Sequence, residues 1–199
     1  MKNKAATYLL LTTMISLLVT GCSTTLQHGK IYAMPTADKG AMRMADTAKN
    51  MNARIGWGTL TIFAIPVAPV TVNGVPGMEL MNQIKDAVEQ AGYKVQMLND
   101  LTAVAKAPVL SCQVHDFGFR NYTWLFPLVF NWGTIKLDVT ITGEEGKVLW
   151  QKSYTGKAHG FYDFNPTVNK ALTTILNELA SDLANEQFST KTSGVSRTE

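Results

Sequence analysis

The alternation of Ile135, Leu137, Val139 and Ile141 with Lys136, Asp138, Thr140 and Thr142 constrains this chain more than any other stretch. A period of two sends successive side chains to opposite faces, so this run is a strand with one buried and one wet face. Gly143, Glu144, Glu145 and Gly146 then turn the chain back into Val148, Trp150 and Tyr154. Trp132 to Thr142 and Lys147 to Thr155 are therefore predicted to form a hairpin. Glu144 and Glu145 are neighbours in an exposed turn. They are not held apart across a cleft as paired catalytic carboxylates must be, and they serve as solubilising turn residues.

Elsewhere the period changes to that of a helix. In Met78 to Ala91, residues Leu80 or Met81, Ile84, Ala87 or Val88 and Ala91 mark one stripe, with Glu79, Gln83, Lys85, Asp86, Glu89 and Gln90 on the wet side. Gly92 stands where a left-handed residue ends a helix, and Tyr93 to Leu98 comes next as a strand. A second helix is predicted after the loop from Gly156 to Phe164, which holds His159 and Asp163; Asn165 is placed to cap it and Pro166 suits its first turn. Its stripe of Val168, Leu172, Ile175, Leu176, Leu179 and Leu183 ends near Phe188 and needs a sheet to cover. Thr59 to Ile65 is predicted as a strand, and Pro66 and Pro69 confine the residues after it to an edge or a loop. Asn73-Gly74 and Pro76-Gly77 are turn chemistry. In Pro108 to Phe117, Leu110, Cys112 and Val114 share one face and Ser111, Gln113 and His115 the other. Together these elements predict a two-layer α+β domain: a mainly antiparallel sheet of about five strands with two amphipathic helices on one face.

The N-terminus carries a different kind of signal. Lys2 and Lys4 precede an apolar run from Tyr8 to Val19, broken only by Thr12, Thr13 and Ser16, and small residues lead into Cys22. The run is too short for the roughly 20 apolar residues of a membrane span and has the layout of a secretory signal. Val19-Thr20-Gly21-Cys22 resembles the lipobox of bacterial lipoproteins, with Val where Leu is commonest. The resemblance implies cleavage before Cys22, diacylglycerol on its thiol and an acylated new amino terminus. Two or more acyl chains anchor a protein stably where one binds marginally. Ser23, in place of the Asp typical of lipoproteins kept in the inner membrane, implies the outer membrane, on the periplasmic face by default.

The chain thus divides into four segments: a leader over 1–21, a lipidated tether over 22–54, an α+β domain over 55–188 and a disordered tail over 189–199. The tether is polar and small, broken by Gly29, Pro35 and Gly40. Within it Met42, Ala45, Ala48 and Met51 suggest a short helix over Ala41 to Met51. Met34, Met42, Met44 and Met51 could alternatively gather a soft metal ion, although methionine more often fills cores. Losing Lys2 and Lys4 takes the formal charge from +3 to +1, which implies no nucleic-acid partner. With Cys22 consumed by lipid, Cys112 has no disulfide partner and is read as a small buried hydrophobe. Cys112 and His115, three apart in a strand, point to opposite faces and share no metal ion; no cofactor is expected beyond the covalent lipid.

The stretch from Phe117 to Trp132 is the most unusual. Phe119, Arg120, Tyr122, Trp124, Leu125, Phe126, Phe130 and Trp132 crowd a segment too short to span a bilayer and interrupted by Pro127. It either folds over the domain's own core as a loop or hairpin arm, or forms an exposed surface. Aromatic residues with an Arg dominate protein interfaces, and Trp and Tyr also favour lipid headgroups. No Gly-x-Ser-x-Gly elbow, His-Glu-x-x-His or phosphate-cradling loop is present in the sequence. A helix ending Ala91-Gly92-Tyr93, the run Lys147 to Gly156 after a hairpin turn, and a closing helix rich in Leu and Ala resemble small periplasmic lipoproteins. These include the lipopolysaccharide-assembly lipoprotein and the auxiliary lipoproteins of lipid-transport ABC systems. That resemblance implies a non-enzymatic accessory subunit of envelope machinery, docking on an envelope protein through the aromatic segment. The alternatives are a lipoprotein that binds lipid or another apolar ligand, and an envelope hydrolase using residues such as His115, Asp138, His159 and Asp163.

Overall fold

The computed structural model describes residues 22–35, 37–45, 51–52, 54–60, 65–97, 106–125 and 128–188. The predicted leader and tail lie outside the described residues. The elements run β1 (Cys22–Thr24), β2 (Ala41–Met44), β3 (Arg54–Leu60), β4 (Ile65–Val72), α1 (Pro76–Gln90), β5 (Lys94–Met97), β6 (Val109–Leu125), β7 (Leu128–Thr142), β8 (Val148–Phe161) and α2 (Phe164–Asn185). A 3₁₀ turn at Glu144–Gly146 joins β7 to β8.

The sheet has eight strands, not about five, and curls into a half-barrel. Its three longest strands form an antiparallel meander, β6-β7-β8. The other edge of β6 is shared by two parallel partners: β2 at Val109 and Leu110, and β3 from Phe119 to Thr123. Beyond β3 lie β4 and then β1; beyond β2 lies β5. β1, β2 and β5 are three or four residues long, too short for a period of two to show in sequence, and each pairs in parallel with a strand distant in the chain. β4 tolerates Pro66 and Pro69 because β1 covers only Val70 to Val72, so neither proline has to donate to that ladder.

β6 continues to Leu125 and β7 starts at Leu128, so the aromatic segment is a hairpin arm. Its two halves are set by a bulge. The register steps from Val114 opposite Leu137 to Asp116 opposite Lys136, leaving His115 as the extra residue. One inserted residue exchanges the faces of everything after it. Before the bulge Leu110 and Cys112 are buried; after it Phe119 is buried and Phe117 packs partly on the core. Arg120 and Tyr122 are thereby turned to the open face.

One core lies between the sheet and the helices. Ile135, Leu137, Val139 and Ile141 are fully buried, as the alternation required, against Val168, Leu172, Ile175 and Leu176 of α2 and Leu80 and Ile84 of α1. α2 crosses close over β8 at Gly156, where a Cβ would stand 2.2 Å from the Ala171 carbonyl oxygen. Gly92 ends α1 at φ +98°, as predicted. The cap of α2 is Asp163, whose carboxylate accepts from the Asn165 amide at 3.0 Å; Asn165, expected as the cap, lies inside the first turn with its side chain engaged elsewhere.

That engagement corrects the expected tether. Through its described part, residues 22–45 are built into the domain. Asn165, Asn169, Thr173 and Asn177, spaced four apart on one face of α2, accept from the backbone amides of Thr25 (3.2 Å), Gln27 (2.9 Å), Gly29 (2.7 Å) and Tyr32 (2.8 Å). Leu26 and Ile31 are buried in the core between these contacts. Lys39 then donates its ammonium to the carbonyls of Leu183, Ala184 and Glu186, satisfying the open end of α2. Partial desolvation there lowers the Lys39 pKa. Instead of the helix expected from Ala41, Ala41–Met44 is a strand whose Met42 and Met44 are buried in the core, where methionine fills space, while Met34 is exposed.

Candidate docking surface

The face of the sheet opposite the helices carries an aromatic platform. Registration places Trp57, Arg120, Trp132 and His159 in one row across β3, β6, β7 and β8, and Thr59, Tyr122, Phe130 and Phe161 in the row two residues further along. Tyr122 and Trp132 stack at 4.2 Å between ring centroids with planes 12° apart. Phe130 touches Trp132 at 5.3 Å, Phe161 at 5.3 Å and His159 at 6.5 Å. These rings stay in solvent: Trp57 is 42% exposed, Trp132 38% and Phe161 65%. Two cations edge the platform. The Arg54 guanidinium lies 4.9 Å from the Trp57 ring centre, and Arg120 donates to the Tyr122 hydroxyl at 3.4 Å.

The corner after β8 holds Phe161 in this array. Tyr162, at φ +65°, donates its amide to the Val129 carbonyl at 3.0 Å, and the buried Asn131 donates to the Asp163 carbonyl at 3.1 Å. An open groove of about 890 Å³ runs beside the platform, lined among others by Ile55, Trp57, Asp116, Arg120, Tyr122 and Trp132.

Of the residues predicted for docking, Arg120, Tyr122, Phe130 and Trp132 come together on the platform. Phe119 does not; it is 1% exposed and packs edge-on against Phe164 at 5.7 Å in the core. Trp124 and Leu125 lie on β6, their side chains outside the described residues, as is Phe126 entirely. Trp57 and Phe161 were missed, because each stands far in sequence from the crowded run and only strand pairing brings it to the array. His159, considered for catalysis, sits in the platform.

The candidate catalytic groups are spread out. His115 Nε2 meets Asp138 Oδ2 at 2.6 Å, not its neighbour Asp116. Asp138 also accepts from Ser153, and this bond, then the one to His115, lowers its pKa. His159 is opposite Trp132, six residues along β7 from Asp138, a separation of about 20 Å. Asp163 is occupied as the helix cap. Cys112 is buried, and desolvation raises its thiol to about 12, so it is no nucleophile at neutral pH. Among the described residues, no three His, Cys, Asp or Glu side chains converge to hold a metal ion, and no helix is long and apolar enough to cross a membrane.

No family model matches the chain, and no curated protein matches it in sequence. Solved structures do. A Xanthomonas campestris protein of the DUF330 family superposes with a TM-score of 0.52 at 12% identity, over 82% of this chain and 93% of the other. A minor lipoprotein from Acinetobacter baumannii superposes with a TM-score of 0.33 at 16% identity, over 75% of this chain and 87% of the other. What the Xanthomonas protein shares with this chain is the fold.

Proposed function

We propose that the chain is a lipid-anchored accessory protein of the bacterial envelope, working by docking and not by chemistry. The observation that carries this is the platform: Tyr122, Phe130, Trp132 and Phe161 in ring contact with one another and partly in solvent, on a domain whose first strand begins at the lipobox-like cysteine. A contiguous exposed aromatic surface marks an interaction site. The dispersal of His115, His159 and Asp163 favours docking over hydrolysis, and Ser23 supports the outer membrane over the inner.

The test is a strain carrying Tyr122→Ala with Trp132→Ala. Acylation of Cys22, read by mass spectrometry of the N-terminal peptide, and protein level should be unchanged, while resistance of the cells to detergents falls to that of a deletion strain. Resistance equal to wild type would remove the platform from the function. The open groove favours a second reading, a bound apolar ligand; lipid found by mass spectrometry in protein purified without detergent would support it.

A further inference from the structure

The strand register fixes where a lipid on Cys22 stands relative to the platform. Cys22 pairs with Val70, which continues the row through Gly56, Phe119, Gly133 and Ala158. β1 runs from Cys22 away from the platform rows, so its lipidated start faces them. Past the anchor row the strands project by three residues in β8 and six in β6, about 10 to 20 Å at roughly 3.3 Å per residue.

There is no slack to lift this end off a bilayer. Thr24 is buried, and its hydroxyl and the Thr25 amide both reach Asn165 Oδ1, at 2.5 and 3.2 Å. The sequence at this end of the sheet is also poor in acidic residues and rich in Trp. Segments 57–69, 120–132 and 159–161 contain no Asp or Glu, although the chain has 15, and they hold three of its four Trp. Trp and Tyr partition to the headgroup layer, and an exposed cation such as Arg120 suits its phosphates.

We propose that the platform end of the sheet, with Trp57, Arg120, Tyr122, Phe130, Trp132 and Phe161, lies in the headgroup layer of the same membrane that holds the Cys22 lipid. This rests on the lipid-anchor reading above. It leaves the helices and the far end of the sheet turned toward protein partners.

The experiment uses the full lipidated protein in vesicles of phosphatidylethanolamine and phosphatidylglycerol, part of the former brominated on its acyl chains to quench tryptophan. Trp150 is opposite Ile141, nine residues along β7 from Trp132 and about 30 Å away. Trp150→Phe should therefore keep a blue-shifted emission that the brominated lipid quenches. Trp57→Phe combined with Trp124→Phe and Trp132→Phe, leaving Trp150, should lose the quenching while the circular dichroism stays native. Unquenched emission from Trp150→Phe, on a protein that is acylated and floats with the vesicles, overturns this orientation and assigns the platform to a protein partner. Quenching of Trp150 alone overturns it as well, placing the far end on the membrane. Protein that lacks acylation at Cys22 and does not float instead sinks the anchor reading, and the orientation with it.

Discussion

Tyr122 and Trp132 stack nearly parallel although neither faces the other across the ladder: Tyr122 is opposite Phe130 and Trp132 opposite Arg120. The diagonal contact links the two platform rows. Because the rings remain partly in water, they contribute little to folding. Tyr122→Ala should lower stability by about 1 kcal/mol. Phe119→Ala, three residues earlier and on the buried face, should cost about 3–5 kcal/mol. Urea denaturation of the two variants separates them; equal losses would mean that the bulge does not divide the arm into a core face and an open face.

The clamp along α2 predicts a second result. Asn169→Ala with Asn177→Ala removes the acceptors of the Gln27 and Tyr32 amides. At about 1 kcal/mol per bond, a loss of about 2 kcal/mol is expected. Hydrogen exchange should speed up at those two amides first, ahead of β7. Uniform acceleration across the sheet would show the segment to be coupled to global unfolding instead.

Gly156 is a third point. A side chain there would be driven into the Ala171 carbonyl and the Ile175 side chain, and the Ala171 backbone resists displacement. Gly156→Val should destabilise by about 3 kcal/mol or prevent folding. Gly146→Val, in open space at the turn, tests the alternative of glycine-specific backbone geometry, since its φ is +76° and its cost is strain without a clash. A smaller loss at 146 than at 156, read by thermal melting, is the expected order.

Cys112 gives a pH prediction. Burial raises the folded thiol to about 12 from 9.0, so the folded state holds its proton where the unfolded state releases it. The contribution to stability is complete below pH 9 and is lost progressively as pH rises from 9 toward 12. Cys112→Ala should flatten that decline. At about pH 8, below the ordinary thiol pKa, the native thiol should resist a disulfide reagent and react only after denaturation; rapid labelling of native protein would contradict its burial.

Much of the fold was legible where a period persisted. The four apolar residues of β7, the stripe of α2 and the Gly92 stop each carry their geometry in adjacent residues, and each stands as predicted. Half of the platform was legible too, as a crowded aromatic run. Trp57 and Phe161 were not, because their place depends on parallel and antiparallel neighbours remote in the chain.

The sequence alone determined the chain's two-layer character and the lipobox-like run ending at Cys22, since both rest on local spacing. Tertiary structure alone decided which faces Phe119 and Tyr122 took, through a single inserted residue at His115, because register is a property of paired strands. It also turned residues 22–45 from a polar tether into two strands, a clamp and a helix cap. Their amides and carbonyls found partners on α2, whose Asn and Thr spacing has meaning only once another segment lies along it.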